Sequence, residues 1–330
     1  MNKKNGVKIL GTGSYFPKKV LTNVDLEKIV DTSDEWISTR TGIKERRIAE
    51  ENEYTSDIAY KASIEALKTA EISPKQIDLI LVATISPDML FPSTACFLQK
   101  KLGSKLSTPA FDLSAACSGF IYGLTVARAF IESGLYKTIL LVGAEELSKF
   151  VDWTDRNTCV LFGDGAGAMI LSASKEEDDI LSTYLEAEGA YSDLLFLPGG
   201  GTVNPVTTKT MDEKLHAIKM QGKEVFKAAV PKMAIAAKKA LELSGKQLED
   251  IKLFIPHQAN IRIIEAVAKK LGISMDRVFV NIHKTGNISS ATTITALDEA
   301  IKVNKVQKGD IIELVAFGGG FTSGAAIIRI

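Results

Sequence analysis

Short apolar segments alternate with longer helical segments along almost the whole chain of 330 residues, and this alternation constrains the fold more than any other feature. Segments rich in Ile, Leu and Val predict buried strands at 79–83, 138–142, 253–255, 311–315 and 326–330. Helices are predicted from the cap at residues 55–57 onward, after residue 117 up to 134, from 223 to 243 and from 260 to 271. Strands that alternate with helices are typical of α/β proteins.

Three glycines stand where predicted helices end: Gly134, Gly245 and Gly272. Glycine is common there because it adopts the left-handed backbone conformation that terminates a helix. Pro231 falls inside the predicted helix 223–243. Since proline removes one backbone hydrogen bond and clashes with the preceding turn, we expect that helix to be kinked or split.

The charge balance argues against a protein that binds nucleic acid or a membrane. Forty basic residues offset forty acidic ones, and no uncharged apolar segment approaches the roughly 18 residues of a membrane span. Val7–Leu10 predicts a strand rather than the apolar core of a signal peptide. Cys96, Cys117 and Cys159 have no disulfide-framework or metal-ligand spacing. We therefore expect a cytoplasmic protein without a disulfide or metal site.

Two pairs of segments resemble each other across the chain. Residues 75–82 resemble 246–255, and residues 162–171 resemble 317–328. Such a duplication predicts two similar halves packed together, since no low-complexity linker lies between them. The charged segment 175–179 interrupts the apolar pattern and lies near the junction. The predicted halves are residues 1–172, with the candidate cysteine, and residues 173–330.

Cys117 is the strongest candidate nucleophile. It follows a short strand and small residues, and it precedes the predicted helix that ends at Gly134. Unpaired N–H groups and the helix dipole at such a position favour the thiolate, and small neighbours leave room for a substrate. A lone cysteine is more often a buried structural residue. That interpretation suits Cys96 and Cys159 better than Cys117.

Two further polar residues occupy corners between predicted strands and helices. His257 ends a strand, where open α/β sheets gather their ligands. Asn287 follows a glycine and lies within the repeat spacing from Cys117, which predicts equivalent corners of the two halves. Taken alone, such a histidine is more often a cap or core residue, and such an asparagine a turn residue. His216 is predicted at the surface, and the role of His283 stays open.

Two glycine-rich segments can be compared with known functional loops, a dinucleotide-binding loop and an oxyanion hole. Residues 163–168 lack the spacing of a dinucleotide-binding loop and precede a strand-like segment, so we reject that interpretation. Gly318–Gly320 follows a predicted strand. Backbone N–H groups without side chains can approach a reacting carbonyl there, as in an oxyanion hole. A plain turn is the alternative.

Taken together, the ordered segments resemble the β-ketoacyl-[acyl-carrier-protein] synthase III family of the thiolase-like superfamily over nearly the whole chain. The matching segments are 11–17, 34–43, 91–93, 111–120, 161–167, 222–226, 256–260, 286–287 and 318–320. Each is weak evidence alone, but the ordered set is very specific. The resemblance implies an α/β fold of five layers, αβαβα, made of two duplicated halves, and usually a homodimer.

The resemblance also implies a reaction, the priming step of type II fatty acid synthesis. Acyl-CoA and malonyl-acyl carrier protein give 3-oxoacyl-acyl carrier protein, CoA and CO2, with no cofactor besides these substrates. Cys117 matches the nucleophile that carries the acyl group as a thioester, and the N–H groups of Cys117 and Gly319 match the oxyanion hole. His257 and Asn287 match the pair that holds the malonyl thioester carbonyl while CO2 leaves. A thiol of low pKa would suit the first step.

Other positions match contacts to the substrates. The implied CoA contacts are Trp36, Arg40 and Arg156, and the implied contacts to the pantetheine arm are Gly222, Phe226 and Asn260. Phe91 matches the residue that closes the primer pocket of the partner subunit. Lys223, Lys227 and Arg262 suggest a docking patch for an acidic carrier protein, although lysines on a helix are more often simply solvated.

One departure and several alternatives accompany the resemblance. Ser323 stands where the family often has tryptophan, which leaves the packing beside the glycine loop and the primer size open. A degradative thiolase would need a second cysteine near 318–324, where the sequence has none. A non-catalytic partner subunit would lack the nucleophile, and a cysteine hydrolase would need its own local motifs. A related condensing enzyme of secondary metabolism, with another acyl donor or acceptor, remains as the alternative.

Overall fold

The computed structural model describes residues 5–330. Its strands are β1 (Gly6–Tyr15), β2 (Lys19–Thr22), β3 (Glu45–Ile48), β4 (Leu79–Ala83), β5 (Ala110–Leu113), β6 (Thr138–Glu146), β7 (Asp164–Ser174), β8 (Ile180–Ala187), β9 (Leu195–Phe196), β10 (Lys219–Met220), β11 (Ile251–Pro256), β12 (Ile311–Gly318) and β13 (Thr322–Arg329). Its α-helices are α1 (Asn23–Leu26), α2 (Asp34–Thr41), α3 (Thr55–Thr69), α4 (Thr94–Leu102), α5 (Gly119–Glu132), α6 (Thr208–Asp212), α7 (Gly222–Ser244), α8 (Ile261–Leu271), α9 (Ile282–Thr285) and α10 (Thr292–Lys302). One-turn 3-10 helices, Ala116–Ser118 and Ser289–Ala291, directly precede α5 and α10.

Two sheets of matching topology form the frame of the molecule. The first has the strand order β1-β7-β6-β4-β5, and the second has the order β8-β13-β12-β11. In each sheet an antiparallel pair joins two strands that follow each other along the chain, β6 with β7 and β12 with β13. A parallel pair follows, β4 with β6 and β11 with β12. This repeated order confirms the predicted duplication.

The helices and sheets alternate in five layers. Helices α5 and α10 lie between the sheets, and their apolar side chains share one core with both sheets. Helices α3 and α4 cover the outer face of the first sheet, and α7 and α8 cover the outer face of the second. In β4, Leu79 and Leu81 face the central layer while Ile80 and Val82 face the outer one. A strand covered on both faces must be apolar throughout, which explains its unbroken hydrophobic run.

The sequence predicted the type of these elements better than their ends. All five predicted strands are present, with the last of them displaced toward its N-terminus as β13. Gly245 and Gly272 end α7 and α8 with positive φ angles of 67° and 75°, as expected for glycine caps. Residues 164–174 form a strand, in agreement with the rejection of a dinucleotide-binding loop.

Of the two expected effects of Pro231, a kink or a split helix, the split does not occur. Helix α7 is a single element of 23 residues with Pro231 inside it. Its buried face, which includes Ala229, Met233 and Ala237, packs against the second sheet. Tertiary packing of that face outweighs the backbone hydrogen bond that proline removes.

Glu313 is an acidic residue in the apolar interior. It lies on β12, is 1% exposed, and its Oε1 has no hydrogen-bond partner. The alternation along the strand puts it on the same face as Val315 and Phe317, which belong to the core beneath α7 and α8. Burial raises the pKa of Glu313 to about 8. The side chain is therefore protonated in the folded protein at neutral pH.

We expect Glu313→Met to increase the free energy of unfolding, and to do so more at pH 8 than at pH 5. Between the ordinary glutamate pKa and about 8, the folded state holds a proton that the unfolded state releases, so wild-type stability falls as pH rises, by up to about 1.4 kcal/mol per pH unit. Methionine does not ionise and removes this loss. Urea unfolding at both pH values measures it, with the exposed Glu265→Met as control. An equal difference between Glu313→Met and wild type at both pH values would contradict the assignment.

Candidate active site

One cavity of about 510 Å³ brings three of the predicted residues together. Cys117, His257 and Asn287 all line it. Cys117 belongs to the one-turn helix before α5, His257 directly follows β11, and Asn287 lies between α9 and the one-turn helix before α10. These side chains therefore come from corners of both halves and meet where the halves face each other.

The two corners share a strained backbone conformation. Each one-turn helix begins with a residue of positive φ, Ala116 at 47° and Ser289 at 44°. Such values are uncommon outside glycine and mark a conformation that the surrounding structure must enforce. The two corners are equivalent, as predicted, but Cys117 and Asn287 do not occupy equivalent positions within them. Ala116 matches Ser289, so Cys117 follows the strained residue of its corner while Asn287 precedes the strained residue of its own.

Cys117 is reachable from the cavity but is not easily ionised. The residue is 6% exposed, and burial raises the pKa of its thiol to about 12. The nearby Ser289 side chain lowers this pKa and the nearby Glu145 raises it, but both effects are smaller than that of burial. The Ser289 hydroxyl itself is buried without a hydrogen-bond partner. This direction is opposite to the low-pKa thiolate expected from the helix N-terminus, because burial disfavours the charged form of the thiol.

Glycines at the end of β12 allow the backbone to approach Cys117. A Cβ atom at Gly318 would lie 2.6 Å from the backbone nitrogen of Cys117, and one at Gly319 would lie 2.7 Å from the carbonyl oxygen of Leu195. Any side chain at either position would push these segments apart. The neighbouring Ser323 is fully buried and its hydroxyl has no hydrogen-bond partner.

A smaller apolar cavity of about 60 Å³ lies on another side of Cys117. Its walls include Ile85, Leu147 and Phe162, and Gly319 also lines it. An adjacent cavity of about 360 Å³ shares Ile85 and Leu147 with it. Cys117 thus stands between a large cavity that reaches the surface residues of α2 and a small one lined by hydrocarbon side chains.

His257 is neutral and held by hydrogen bonds. It is 3% exposed, and its backbone N–H donates to the carbonyl oxygen of Val315 at 2.7 Å. Its Nδ1 lies 2.6 Å from the hydroxyl oxygen of Thr292. Burial lowers the pKa of His257 to about 3, so the ring carries a single proton near neutral pH. Its other ring nitrogen, Nε2, is not part of this contact.

Asn287 is fixed through both its backbone and its side chain. Its backbone N–H donates to the carbonyl of Leu161 at 2.8 Å, and its own carbonyl accepts from Gly163 at 3.1 Å. Its Oδ1 accepts a hydrogen bond from the backbone N–H of Ser289 at 2.9 Å. Because the oxygen of the amide is engaged, the NH2 group is the part left to face the cavity.

Two buried charged residues behind the site were missed by the sequence reasoning. Glu145 accepts hydrogen bonds from Ser86 Oγ at 2.7 Å and from the backbone of Ser290 at 3.4 Å, and burial raises its pKa. It therefore joins the first sheet to the corner that follows Asn287. Arg46 donates to Asn23 and to the carbonyl of Val160 at 2.8 Å. An arginine in Glu45–Ile48 gives no sequence signal that it is fully buried.

The predicted CoA contacts cluster at the other end of the large cavity. Trp36 and Arg40 line it, and the guanidinium carbons of Arg40 and Arg156 lie 4.8 and 5.2 Å from the centre of the Trp36 ring. The residues predicted for the pantetheine arm, Gly222, Phe226 and Asn260, also line it. The side chain of Asn260 additionally caps α8 by accepting from the N–H of Arg262 at 2.9 Å.

The remaining predicted residues lie outside this cavity or at its rim. Lys223 lines it, whereas Lys227 and Arg262 are exposed beside it. Phe91 is 84% exposed in the loop before α4. Among residues 5–330, no group of three or more His, Cys, Asp and Glu side chains is arranged to hold a metal ion. None of the helices in this range is both long and apolar enough to span a membrane.

Comparison with known proteins identifies the family. Two family models match, 3-Oxoacyl-[acyl-carrier-protein (ACP)] synthase III over residues 111–189 and its C-terminal counterpart over residues 241–330. A beta-ketoacyl-[acyl-carrier-protein] synthase III of Caldanaerobacter subterraneus subsp. tengcongensis is 53% identical over 329 residues, covering 100% of this chain and 99% of that protein.

Solved structures with a similar fold support the same family. The crystal structure of 3-oxoacyl-[acyl-carrier-protein] synthase III from Aquifex aeolicus has a TM-score of 0.91 and 52% identity, covering 98% of this chain and all of that one. The priming beta-ketosynthase of the R1128 polyketide pathway also has a TM-score of 0.91, at 33% identity, covering 100% of this chain and 98% of that one. The chain therefore belongs to the 3-oxoacyl-[acyl-carrier-protein] synthase III family, the condensing acyltransferases that prime fatty acid synthesis.

Proposed function

We propose that this chain condenses an acyl-CoA with malonyl-acyl carrier protein through an acyl thioester on Cys117. One observation carries the proposal: Cys117, His257 and Asn287 line the same cavity, and Trp36 and Arg40 line it too. A CoA thioester that contacts Trp36 would extend its pantetheine arm along Gly222, Phe226 and Asn260 toward the sulfur. In this proposal residues 1–172 supply the nucleophile and residues 173–330 supply the histidine and the asparagine.

In the first step, the sulfur of Cys117 attacks the carbonyl carbon of the acyl-CoA. The carbon–sulfur bond to CoA breaks, and the thiol proton of Cys117 ends on the CoA sulfur. The N–H groups of Cys117 and Gly319 stabilise the oxyanion, and the proximity of their two segments supports this role. The acyl chain occupies the small apolar cavity beside Cys117.

In the second step, His257 and Asn287 hold the thioester carbonyl of the malonyl group. The bond to the carboxylate breaks, CO2 leaves, and the electron pair forms an enolate whose oxygen accepts hydrogen bonds from both side chains. Its carbon attacks the acyl carbonyl carbon on Cys117, the carbon–sulfur bond breaks, and the sulfur leaves as a thiolate that takes up a proton from solvent. The neutral state of His257 supports this role, since the step needs a hydrogen-bond donor and removes no proton from carbon.

The surface next to the cavity carries the proposed partner contacts. Lys223 and Arg262 are exposed beside it and suit an acidic carrier protein. Lys227 is a weaker candidate because Glu224 neutralises it at 3.0 Å. We assign this docking role to the three cations together.

A homodimer completes the proposal. Leu90 and Phe91 are 80% and 84% exposed on one loop, an arrangement that favours burial in a partner. The cavity of about 360 Å³ next to the acyl cavity is lined partly by the exposed Phe196 and Leu197. Phe91 of a second copy would enter there and close the primer pocket. We place the reaction in the cytoplasm, where the free thiols stay reduced.

Labelled acetyl-CoA should transfer its acetyl group to Cys117, and the single-turnover rate should rise as the pH is raised from about 6 to about 9. The thiolate is the nucleophile, and the thiol pKa of about 12 keeps its fraction small over this whole range. Rapid quenching followed by mass spectrometry of the peptide measures the rate.

The control for this experiment is Cys117→Ser, which should form no thioester that hydroxylamine cleaves. If this variant kept the label with wild-type stability, the nucleophile would be another residue. A rate that is constant from about pH 7 upward would show that the thiol is already ionised, against the effect of burial.

His257→Ala and Asn287→Ala should still accept the acetyl group, but malonyl decarboxylation should fall by about a hundredfold or more in each. Each variant loses one donor to the developing enolate oxygen, which acts only in the second step. Release of labelled CO2 from malonyl-acyl carrier protein measures that step. The exposed His216→Ala is the matched control and should retain both steps. Equal loss of acylation and decarboxylation would refute this division of roles.

A further inference from the structure

The hydroxyl of Thr292 makes a buried contact with the ring of His257. Thr292 is the first residue of α10 and is 1% exposed, and its Oγ1 lies 2.6 Å from Nδ1 of His257. The His257 side chain makes no other hydrogen bond to residues 5–330. The position of the proton in that contact therefore decides whether Nε2, the other ring nitrogen, can donate a hydrogen bond.

The hydroxyl has one proton and two possible acceptors. One is Nδ1 of His257, and the other is the backbone carbonyl of Ser289, at 3.0 Å from Oγ1. That carbonyl already accepts the backbone N–H of Thr292 at the end of its one-turn helix. The carbonyl therefore stays satisfied without the hydroxyl, whereas an unprotonated Nδ1 has no other donor in reach.

The chemistry of the second step selects between the two arrangements. If the hydroxyl donates to Ser289, Nδ1 must carry the ring proton, and Nε2 presents a lone pair to the cavity. A lone pair facing an enolate oxygen would repel it. If the hydroxyl donates to Nδ1, the ring proton lies on Nε2, where it can be donated to that oxygen.

We propose that the Thr292 hydroxyl donates to Nδ1 of His257 and thereby fixes the ring as the Nε2–H tautomer that binds the malonyl thioester carbonyl. Thr292 is in this account a positioning residue, since it acts through the imidazole. The inference rests on the proposed function, because it takes the role of His257 in decarboxylation from there. It adds the residue that sets the protonation pattern of that histidine.

Nitrogen-15 NMR of the full-length protein with labelled histidine tests the tautomer directly. The chain has three histidines, and His257→Ala identifies the signals of the buried ring. Wild type and Thr292→Ser should show Nε2 protonated and Nδ1 unprotonated. In Thr292→Val, the ring of His257 should no longer be found only as the tautomer with Nε2 protonated. Protonated Nδ1 in wild type, or an unchanged pattern in Thr292→Val, would overturn the proposal.

The kinetic test separates positioning from a general structural effect. In Thr292→Val, malonyl decarboxylation should fall about tenfold or more while acetyl transfer from acetyl-CoA to Cys117 stays near wild type. Thr292→Ser should restore decarboxylation, since it keeps the hydroxyl. Thr293→Val is the matched control, because the Thr293 hydroxyl is also buried but has no hydrogen-bond partner. It should retain both activities.

The outcomes distinguish this inference from the proposed function. Loss of decarboxylation in His257→Ala but not in Thr292→Val would overturn the inference alone. Full decarboxylation in His257→Ala would overturn the proposed role of the histidine itself. Equal loss of both steps in Thr292→Val without recovery in Thr292→Ser would show a structural role and also reject the inference.

Discussion

The site depends on the packing of α5 and α10 between the two sheets. Each of these helices begins at a corner whose first residue, Ala116 or Ser289, has a positive φ, and the apolar core around the two helices is shared by both sheets. Strained corners persist only where packing enforces them. The same packing places Ser289 and Cys117 along one small cavity and lets the glycines at the end of β12 approach the backbone of Cys117. The cavity lined by Cys117, His257 and Asn287 therefore exists only when both sheets are packed around these helices.

Burial determines the charge state of the site. It keeps His257 neutral and Cys117 protonated, although the first effect assists the proposed reaction and the second opposes it. A neutral imidazole and a carboxamide can stabilise a developing oxyanion without changing their own charge. In the proposed acyl transfer the thiol of Cys117 loses its proton, and burial raises the cost of that loss. Contacts with Thr292 and Ser289 hold Nδ1 of His257 and Oδ1 of Asn287, which leaves the other polar atom of each side chain for the substrate.

Local features of the sequence predicted much of this arrangement. The apolar runs at 79–83 and 311–315 predicted strands because both faces of each sheet are covered, and the motifs around Cys117, His257 and Asn287 identified residues that share one cavity. The remaining features depend on contacts between distant segments. The pKa of Cys117 follows from burial by both halves, and the partner of His257 lies on another helix. Arg46 and Glu145 look like ordinary charged residues in the sequence, and the continuity of α7 through Pro231 depends on the sheet beneath it.

We propose that acyl transfer and decarboxylation occur in one cavity, with separate donors for the two carbonyl oxygens. A crystal structure of the acetylated protein with a malonyl-pantetheine analogue that cannot lose CO2 tests it most directly. We expect the acetyl oxygen within hydrogen-bonding distance of the N–H groups of Cys117 and Gly319, and the malonyl thioester oxygen within that distance of His257 Nε2 and Asn287 Nδ2. A malonyl carbonyl bound away from these two side chains, or an acetyl group on any residue other than Cys117, would contradict it.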